Sequence, residues 1–273
     1  MDNKKSEKKN LYLFILITFT FSWLFWIPKA LIAQGLMNTS IISNVLSFLN
    51  LGAFGPLVAA FYLTYHNNGK LGVIKLLKRG IDFSFNKKWL IPILLLIPLI
   101  AGAALLISTL LGSTLPSLPL IYAPHLIMYW FVYMFFLGGP LQEEFGWRGY
   151  ALDRLQSRYT AFTASIILGF IWAIWHLPLN LTSDVGPQYS LLISTIIGSI
   201  ITLCLVSILF TWIYNNTNKS ILAVMLFHAS INLSTFKLFP VFESQNALPY
   251  YTLLILISVI TVLIIWGRKK LVR

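Results

Sequence analysis

Six polar side chains stand out because they interrupt apolar stretches of the chain. They are Glu143, Glu144, Arg148, His176, His228 and Asn232. A carboxylate beside a histidine can activate a water molecule as a general base. A second histidine and an asparagine can donate hydrogen bonds to a developing oxyanion. This set of residue types therefore indicates hydrolysis of an amide bond without a nucleophile from the protein.

The spacing of these residues suits helices. Glu144 and Arg148 are separated by four positions and share a helix face, as do His228 and Asn232. Glu143 points about 100° away from Glu144 on the same helix. One glutamate can therefore pair with Arg148 while the other faces a different partner, and the pattern by itself allows either glutamate to be the general base.

A zinc site is an alternative interpretation of the same residues. Two histidines and one glutamate would form a catalytic zinc site with an open coordination position. If zinc is used, the ligands would be Glu143, His176 and His228. The sequence contains neither the H-E-x-x-H motif of zinc proteases nor the G-x-S-x-G motif of serine hydrolases.

The composition places these residues in a membrane protein. Of the 273 residues, 58% are hydrophobic and 10% are charged, whereas a soluble domain carries about 25% charged residues. So little charge cannot cover a soluble globule of this size. The single cysteine, Cys204, excludes an internal disulfide framework. The sequence therefore predicts an all-α polytopic membrane protein, with the lipid bilayer as one of its partners.

Eight apolar stretches are each long enough to cross about 30 Å of hydrocarbon as a helix. They cover residues 11–33, 47–65, 89–112, 126–155, 161–181, 190–213, 220–238 and 250–267. If eight helices alternate, all of the 20 Lys and Arg residues except Lys29 and Lys237 lie on one side of the membrane. This asymmetry predicts that both termini are cytoplasmic. It also makes the net charge of +12 a topology signal, so we expect no nucleic-acid partner.

The predicted helices bring the six residues to a similar depth. Glu143 lies about 15 residues before the turn predicted near residues 157–160, and His176 lies about 17 residues after it. His228 and Asn232 lie about 11 and 15 residues beyond the next cytoplasmic turn, near residues 215–219. All six could share one layer that is reached from the cytoplasmic side, within a single membrane domain over residues 1–273.

Three segments of the chain resemble the motifs of one family. Residues 143–150, Glu-Glu-Phe-Gly-Trp-Arg-Gly-Tyr, resemble its E-E-x-x-x-R motif. Trp172 precedes His176 by four positions, as an aromatic residue does in the second motif, and residues 228–232 resemble its H-x-x-x-N motif. On these motifs, the protein is identified as similar to the CAAX protease and bacteriocin-processing (CPBP, or Abi) family of intramembrane proteases, with a protease core over about residues 126–235.

The resemblance implies a role for each of the six residues. Glu143 and His176 would activate the water, and His228 and Asn232 would form the oxyanion hole. Glu144 and Arg148 would complete and orient the site. The resemblance also implies no obligatory metal, with zinc as the alternative.

The expected function is cleavage of a hydrophobic or lipidated peptide by an intramembrane endopeptidase. We expect a multi-pass protein of a bacterial plasma membrane, in which the substrate would be something other than a prenylated protein. Two alternatives stay open, namely a non-catalytic bacteriocin-immunity or scaffold protein with the same fold, and a transporter that uses the buried Glu and His residues as a proton relay. The oligomeric state, the substrate and the cleavage position are not determined by the sequence.

Overall fold

The computed structural model describes residues 2–38, 50–182, 189–244 and 246–272, with residues 2–6 and 189–192 described by their backbone alone. Every regular element in these ranges is helical. The principal helices are α1 (Asp2–Ala33), α2 (Gly55–Arg79), α3 (Leu90–Leu110), α4 (Leu126–Leu137), α5 (Pro140–Gly146), α6 (Ala161–Trp175), α7 (Tyr189–Asn216), α8 (Ile221–Leu233) and α9 (Ala247–Trp266). The predicted all-α membrane class agrees with this architecture.

Five helical segments in the described part of the chain are long and apolar enough to cross a membrane. They are Glu7–Ala33, Lys87–Leu110, Ile193–Asn216, Ile221–Leu238 and Ala247–Trp266. Two further apolar helices are shorter, Leu126–Leu137 and Ala161–Trp175. The predicted second stretch begins at residues 47–49, which lie outside the described residues. Eight spans and two cytoplasmic termini therefore stay predictions.

The fourth predicted stretch, residues 126–155, is broken rather than continuous. Helix α4 ends at Leu137, and α5 begins at Pro140. Proline disfavours the helical conformation in the residue that precedes it, and Gly139 adopts φ +117°, which residues with a side chain rarely adopt. After α5 the chain continues through a π-helical segment, Trp147–Leu152, and a last α-helical turn, Asp153–Gln156.

The fifth predicted stretch is also interrupted. Helix α6 ends at Trp175, and a short helix over Leu177–Asn180 follows. Pro178 accounts for the change, since a proline inside a helix removes one backbone hydrogen bond and clashes with the preceding turn. His176 therefore lies at the end of a helix and not within one.

Two capped helix starts follow the predicted cytoplasmic turns. Thr160 accepts a hydrogen bond from the backbone N–H of Thr163 at 3.2 Å, and α6 begins one residue later. Ser220 accepts from the backbone N–H of Ala223 at 3.1 Å, at the start of α8. A side-chain oxygen at this position satisfies a backbone donor that the helix leaves unpaired.

Helix α8 is the central element of the bundle. In the segment Ile221–Leu238, which contains α8, 61% of the residues in the most apolar stretch are buried. The corresponding share is 22–33% in the other four long apolar segments. It packs against α3, α4, α5 and α7, while α2 packs against α1 and α5. The segments that carry the predicted site are therefore among the most enclosed in the molecule.

An ionic cluster ties the end of α2 to the π-helical segment. Nη1 of Arg79 donates to the carbonyl of Gly149 at 3.2 Å and to Asp153 at 3.1 Å. Lys219 donates to the second oxygen of Asp153 at 3.0 Å, and Arg79 also contacts the Tyr214 hydroxyl. The cluster therefore joins the end of α2, the chain over residues 149–153 and the chain over residues 214–219.

The contact between α2 and α5 leaves no room for a side chain at Gly146. A Cβ atom there would lie 2.5 Å from the carbonyl oxygen of Pro56. We expect Gly146→Ala to lower the free energy of unfolding by about 1–3 kcal/mol, the usual cost of overpacking, as measured by thermal unfolding in detergent. Gly198→Ala is the matched control because a Cβ atom there would meet no atom within 4 Å. Equal melting temperatures for the two variants would contradict this account of the contact.

Candidate active site

The bend between α4 and α5 brings backbone close to the first glutamate. A Cβ atom at Gly139 would lie 2.6 Å from Oε1 of Glu143, so both the positive φ and the limited space require glycine. The side chain of Gln142 spans the bend. Its Oε1 accepts from the Gly139 N–H at 3.2 Å, and its Nε2 donates to the Phe136 carbonyl at 2.8 Å. Gln142 is buried, so these two bonds hold the bend within the protein interior.

Glu144 is the centre of a buried polar network. Nη1 of Arg148 donates to its two oxygens at 2.9 and 3.1 Å. Nδ1 of His228 lies 2.7 Å from Oε1 of the same carboxylate. Glu144 and Arg148 are completely buried, and His228 is 5% exposed. Because an ionised carboxylate only accepts hydrogen bonds, Nδ1 of His228 carries a proton, and Nε2 is the ring nitrogen that Glu144 does not engage.

Aromatic rings surround the Arg148 guanidinium. It lies 3.7 Å from the centroid of the Phe210 ring and 4.6 Å from that of Trp172. Its Nε and Nη2 atoms have no hydrogen-bond partner among the described residues. A guanidinium binds aromatic faces well because it is planar and weakly hydrated. The charge of Arg148 is therefore stabilised by Glu144 on one side and by aromatic rings on the other.

Trp172 contacts Glu143 and both histidines of the site. Its Nε1 donates to Oε2 of Glu143 at 2.8 Å. Its ring packs edge-to-face against His228, with centroids 5.6 Å apart, and against His176, with centroids 5.5 Å apart. Since the same ring also contacts Arg148, one side chain of α6 links residues of α5, the π-helical segment and α8.

His176 is half-buried at the end of α6. Its Nδ1 lies 3.0 Å from the carbonyl oxygen of Trp172, so this nitrogen donates to the backbone. Its ring packs on Trp175 at a centroid distance of 4.6 Å and stacks on Trp26 at 6.2 Å. This arrangement leaves Nε2 as the nitrogen that can accept a proton.

Asn232 lies on the same side of the site as the bend. Its Nδ2 donates to the Gly138 carbonyl at 2.7 Å. A Cβ atom at Gly139 would lie 3.8 Å from this nitrogen and 2.6 Å from Oε1 of Glu143, so the Asn232 amide and the Glu143 carboxylate are both close to Gly139. The second N–H of the Asn232 amide is not used by this bond, and it is a donor near the first glutamate.

The structure thus brings five of the six predicted residues together in two groups, and the sixth, Asn232, lies at the bend near Glu143. Glu144, Arg148 and His228 are hydrogen-bonded directly, and Glu143 and His176 are connected to them through Trp172. Within the described part of the chain, no three His, Cys, Asp or Glu side chains form a cluster that could hold a metal ion. Zinc binding by Glu143, His176 and His228 stays a prediction.

Comparisons with known proteins show what this chain is similar to. Residues 124–234 match the family model described as "Type II CAAX prenyl endopeptidase Rce1-like". The chain is also 29% identical over 246 residues to the "CAAX prenyl protease 2" of Methanococcus maripaludis, covering 84% of this chain and 85% of that relative. The resemblance to the CAAX prenyl endopeptidases is confirmed.

The match to the CAAX prenyl endopeptidase family includes every one of the six polar residues, since all lie between residues 124 and 234. Both matched descriptions are those of proteases, and the helices are those of a membrane protein. Together these findings indicate a multi-pass membrane protein of the protease type.

The sequence does not predict the hydrogen-bond partners of Gln142 and of the Trp172 N–H. A glutamine inside an apolar run was a visible signal, because an uncharged polar residue there needs hydrogen-bond partners. In the sequence, Trp172 stands out only as the aromatic residue of the second motif. Its hydrogen bond to Glu143 depends on how α5 and α6 pack, which the motif does not specify.

Neutralising each glutamate in turn separates their structural contributions. We expect Glu144→Gln to cost about 3–5 kcal/mol of stability, because the buried Arg148 loses its ion-pair partner. Glu143→Gln keeps an oxygen that can accept from Trp172, so its melting temperature in detergent should lie close to that of the wild type. The two variants are matched controls for each other, and similar losses in both would refute a special role for Glu144 in folding.

The bridge at the bend can be tested at Gln142. Gln142→Glu keeps an acceptor for the Gly139 N–H, but it loses the donor to Phe136 and buries a carboxyl group. We expect it to destabilise the protein by at least about 1–3 kcal/mol, the cost of an unsatisfied buried group. Gln156→Glu is the control because Gln156 is hydrogen-bonded at the far, partly exposed end of the same segment. Thermal unfolding of both variants measures the difference, and a larger loss in the control would contradict the bridging role.

Proposed function

We propose that this protein is an intramembrane endopeptidase that hydrolyses a peptide bond in a hydrophobic or lipidated peptide. The observation that carries the proposal is that the two adjacent glutamates have different hydrogen-bond partners. Glu144 is committed to Arg148 and His228, whereas Glu143 is held by the single N–H of Trp172. A carboxylate without a cationic hydrogen-bond partner suits the role of general base better than one that is bound by Arg148 and also hydrogen-bonded to His228.

Water attack is the first chemical step. Glu143, assisted by His176, takes one proton from a water molecule, and the hydroxide oxygen bonds to the carbonyl carbon of the substrate. The carbon–oxygen double bond becomes a single bond, and the carbonyl oxygen becomes an oxyanion. The proton then passes to the amide nitrogen, and the oxyanion re-forms the carbonyl double bond as the carbon–nitrogen bond breaks. A carboxylic acid and an amine leave, and the acid then gives up its proton to leave a carboxylate.

The oxyanion needs donors on the opposite side of the carbonyl. When His228 is protonated on both nitrogens, Nδ1 donates to Glu144 and Nε2 is free to donate to the oxyanion. The second N–H of Asn232 is the other donor. Such donors each contribute about 10²–10³-fold in rate.

The substrate class follows from the surroundings and from the matched proteins. The relative from Methanococcus maripaludis is named "CAAX prenyl protease 2", and the apolar helices here suit a lipid-bearing or hydrophobic peptide. We propose a C-terminal peptide with a lipid group, or a hydrophobic peptide of the membrane, as substrate. A bacterial plasma membrane is the proposed location, and chemistry without an obligatory metal is the proposed mechanism.

The test is proteolysis by the purified protein in liposomes. The substrates are a pool of farnesylated C-terminal peptides and a pool of hydrophobic peptides without lipid, and mass spectrometry identifies the cleaved bonds. We expect Glu143→Gln to lower the cleavage rate about 10²–10⁴-fold, the contribution of a general base, and His176→Ala to lower it as well. Each reaction is run with and without a chelator.

His125→Ala is the matched control, since His125 is exposed at the start of α4 and is outside the site. Full activity in Glu143→Gln would overturn the assignment of the base. Loss of activity with chelator, restored by zinc, would overturn the metal-free mechanism. A wild-type protein that cleaves neither pool, together with a cellular immunity phenotype that survives Glu143→Gln, would favour the non-catalytic alternative.

A further inference from the structure

We infer that Trp172 is a positioning residue that holds Oε2 of Glu143 and leaves Oε1 as the oxygen that takes the proton from the attacking water. This inference rests on the proposed function, because it assigns atoms within the same reaction. It differs from a merely structural role for an aromatic residue, since it depends on one N–H group and not on the size of the ring.

The hydrogen bond itself is the first observation. Nε1 of Trp172 lies 2.8 Å from Oε2 of Glu143, and the two residues are 3% and 5% exposed. A glutamate side chain has three rotatable bonds, and an unrestrained one adopts several rotamers. A buried, charge-assisted hydrogen bond from a neighbouring helix restricts this freedom. Trp172 therefore selects one orientation of the carboxylate.

The position of the other oxygen is the second observation. Oε1 of Glu143 lies beside the bend, 2.6 Å from where a Cβ atom of Gly139 would be, and Nδ2 of Asn232 lies 3.8 Å from the same point. Oε1 is thus directed to the place where an oxyanion donor is also available. A water that donates to Oε1 would lie near the carbonyl that Asn232 polarises.

The environment of Trp172 is the third observation. Its ring packs edge-to-face against Phe210 with centroids 5.7 Å apart and an interplanar angle of 88°. The Arg148 guanidinium lies 4.6 Å from its ring centroid. A positive charge over an indole face draws electron density from the ring, which makes the N–H a stronger donor. The ion pair of Arg148 with Glu144 therefore also acts, through Trp172, on Glu143.

Trp172→Phe tests the inference because it keeps an aromatic ring and removes the N–H. We expect kcat to fall about 10- to 100-fold with KM for the same peptide unchanged, the range for loss of one hydrogen bond to a charged group. Trp212→Phe is the matched control: Trp212 is also buried, and its Nε1 has no hydrogen-bond partner in the described part of the chain. The control should retain wild-type kcat and KM.

Two further measurements keep the inference falsifiable if Trp172→Phe folds poorly. Benzothienylalanine at position 172 replaces the N–H by sulfur at nearly constant volume, and it should reproduce the loss of kcat. In ¹⁵N-indole NMR of the full chain, the Trp172 resonance should move upfield in Glu143→Gln, because an amide oxygen is a weaker acceptor than a carboxylate, and the Trp212 resonance should not move.

The outcomes separate failure of this inference from failure of the proposed function. Wild-type kcat in the folded Trp172→Phe or benzothienylalanine protein would overturn the positioning role, as would a Trp172 resonance that ignores Glu143→Gln. A wild-type protein that cleaves no peptide would overturn the proposed function, while the NMR experiment would still report whether the hydrogen bond is present.

Discussion

The buried carboxylate of Glu144 is the interaction on which the site depends. It accepts from Arg148 and His228 in a region where neither oxygen reaches solvent. Removing charges from water costs several kcal/mol per ion, and only close pairing with good geometry compensates for it. The position of α8 relative to α5 is therefore constrained by a bond of 2.7 Å between Glu144 and His228, and the remaining polar groups are arranged around this pair.

The ion pair between Arg148 and Glu144 is connected to Glu143 through an aromatic ring. Arg148 packs on Phe210 and Trp172, and Trp172 in turn donates to Glu143. Adjacent glutamates thus have opposite environments, although they share one helix. A helix turns about 100° per residue, so neighbouring residues necessarily face different partners. The pair Glu-Glu supplies one carboxylate for assembly and one for the proposed chemistry.

Much of the fold class followed from composition and hydropathy. An all-α membrane protein, the two turns before α6 and α8, and the pairing of one glutamate with Arg148 were predictable because each depends on residues close in sequence. The break between α4 and α5 was only partly visible. Pro140 indicated a kink, but the end of α4 at Leu137 and the left-handed Gly139 also require Gln142 to bridge the bend.

The sequence by itself determined the membrane class, the family resemblance and the identity of the six polar residues, because hydropathy, motif spacing and helical periodicity are local properties of the chain. Tertiary structure alone decided that Glu144 binds His228, that Trp172 donates to Glu143, and that Asn232 donates to the bend. These contacts join residues 84, 29 and 94 positions apart. Their formation depends on how whole helices pack, since a side chain's partner across the bundle is set by helix position and rotation rather than by neighbouring residues.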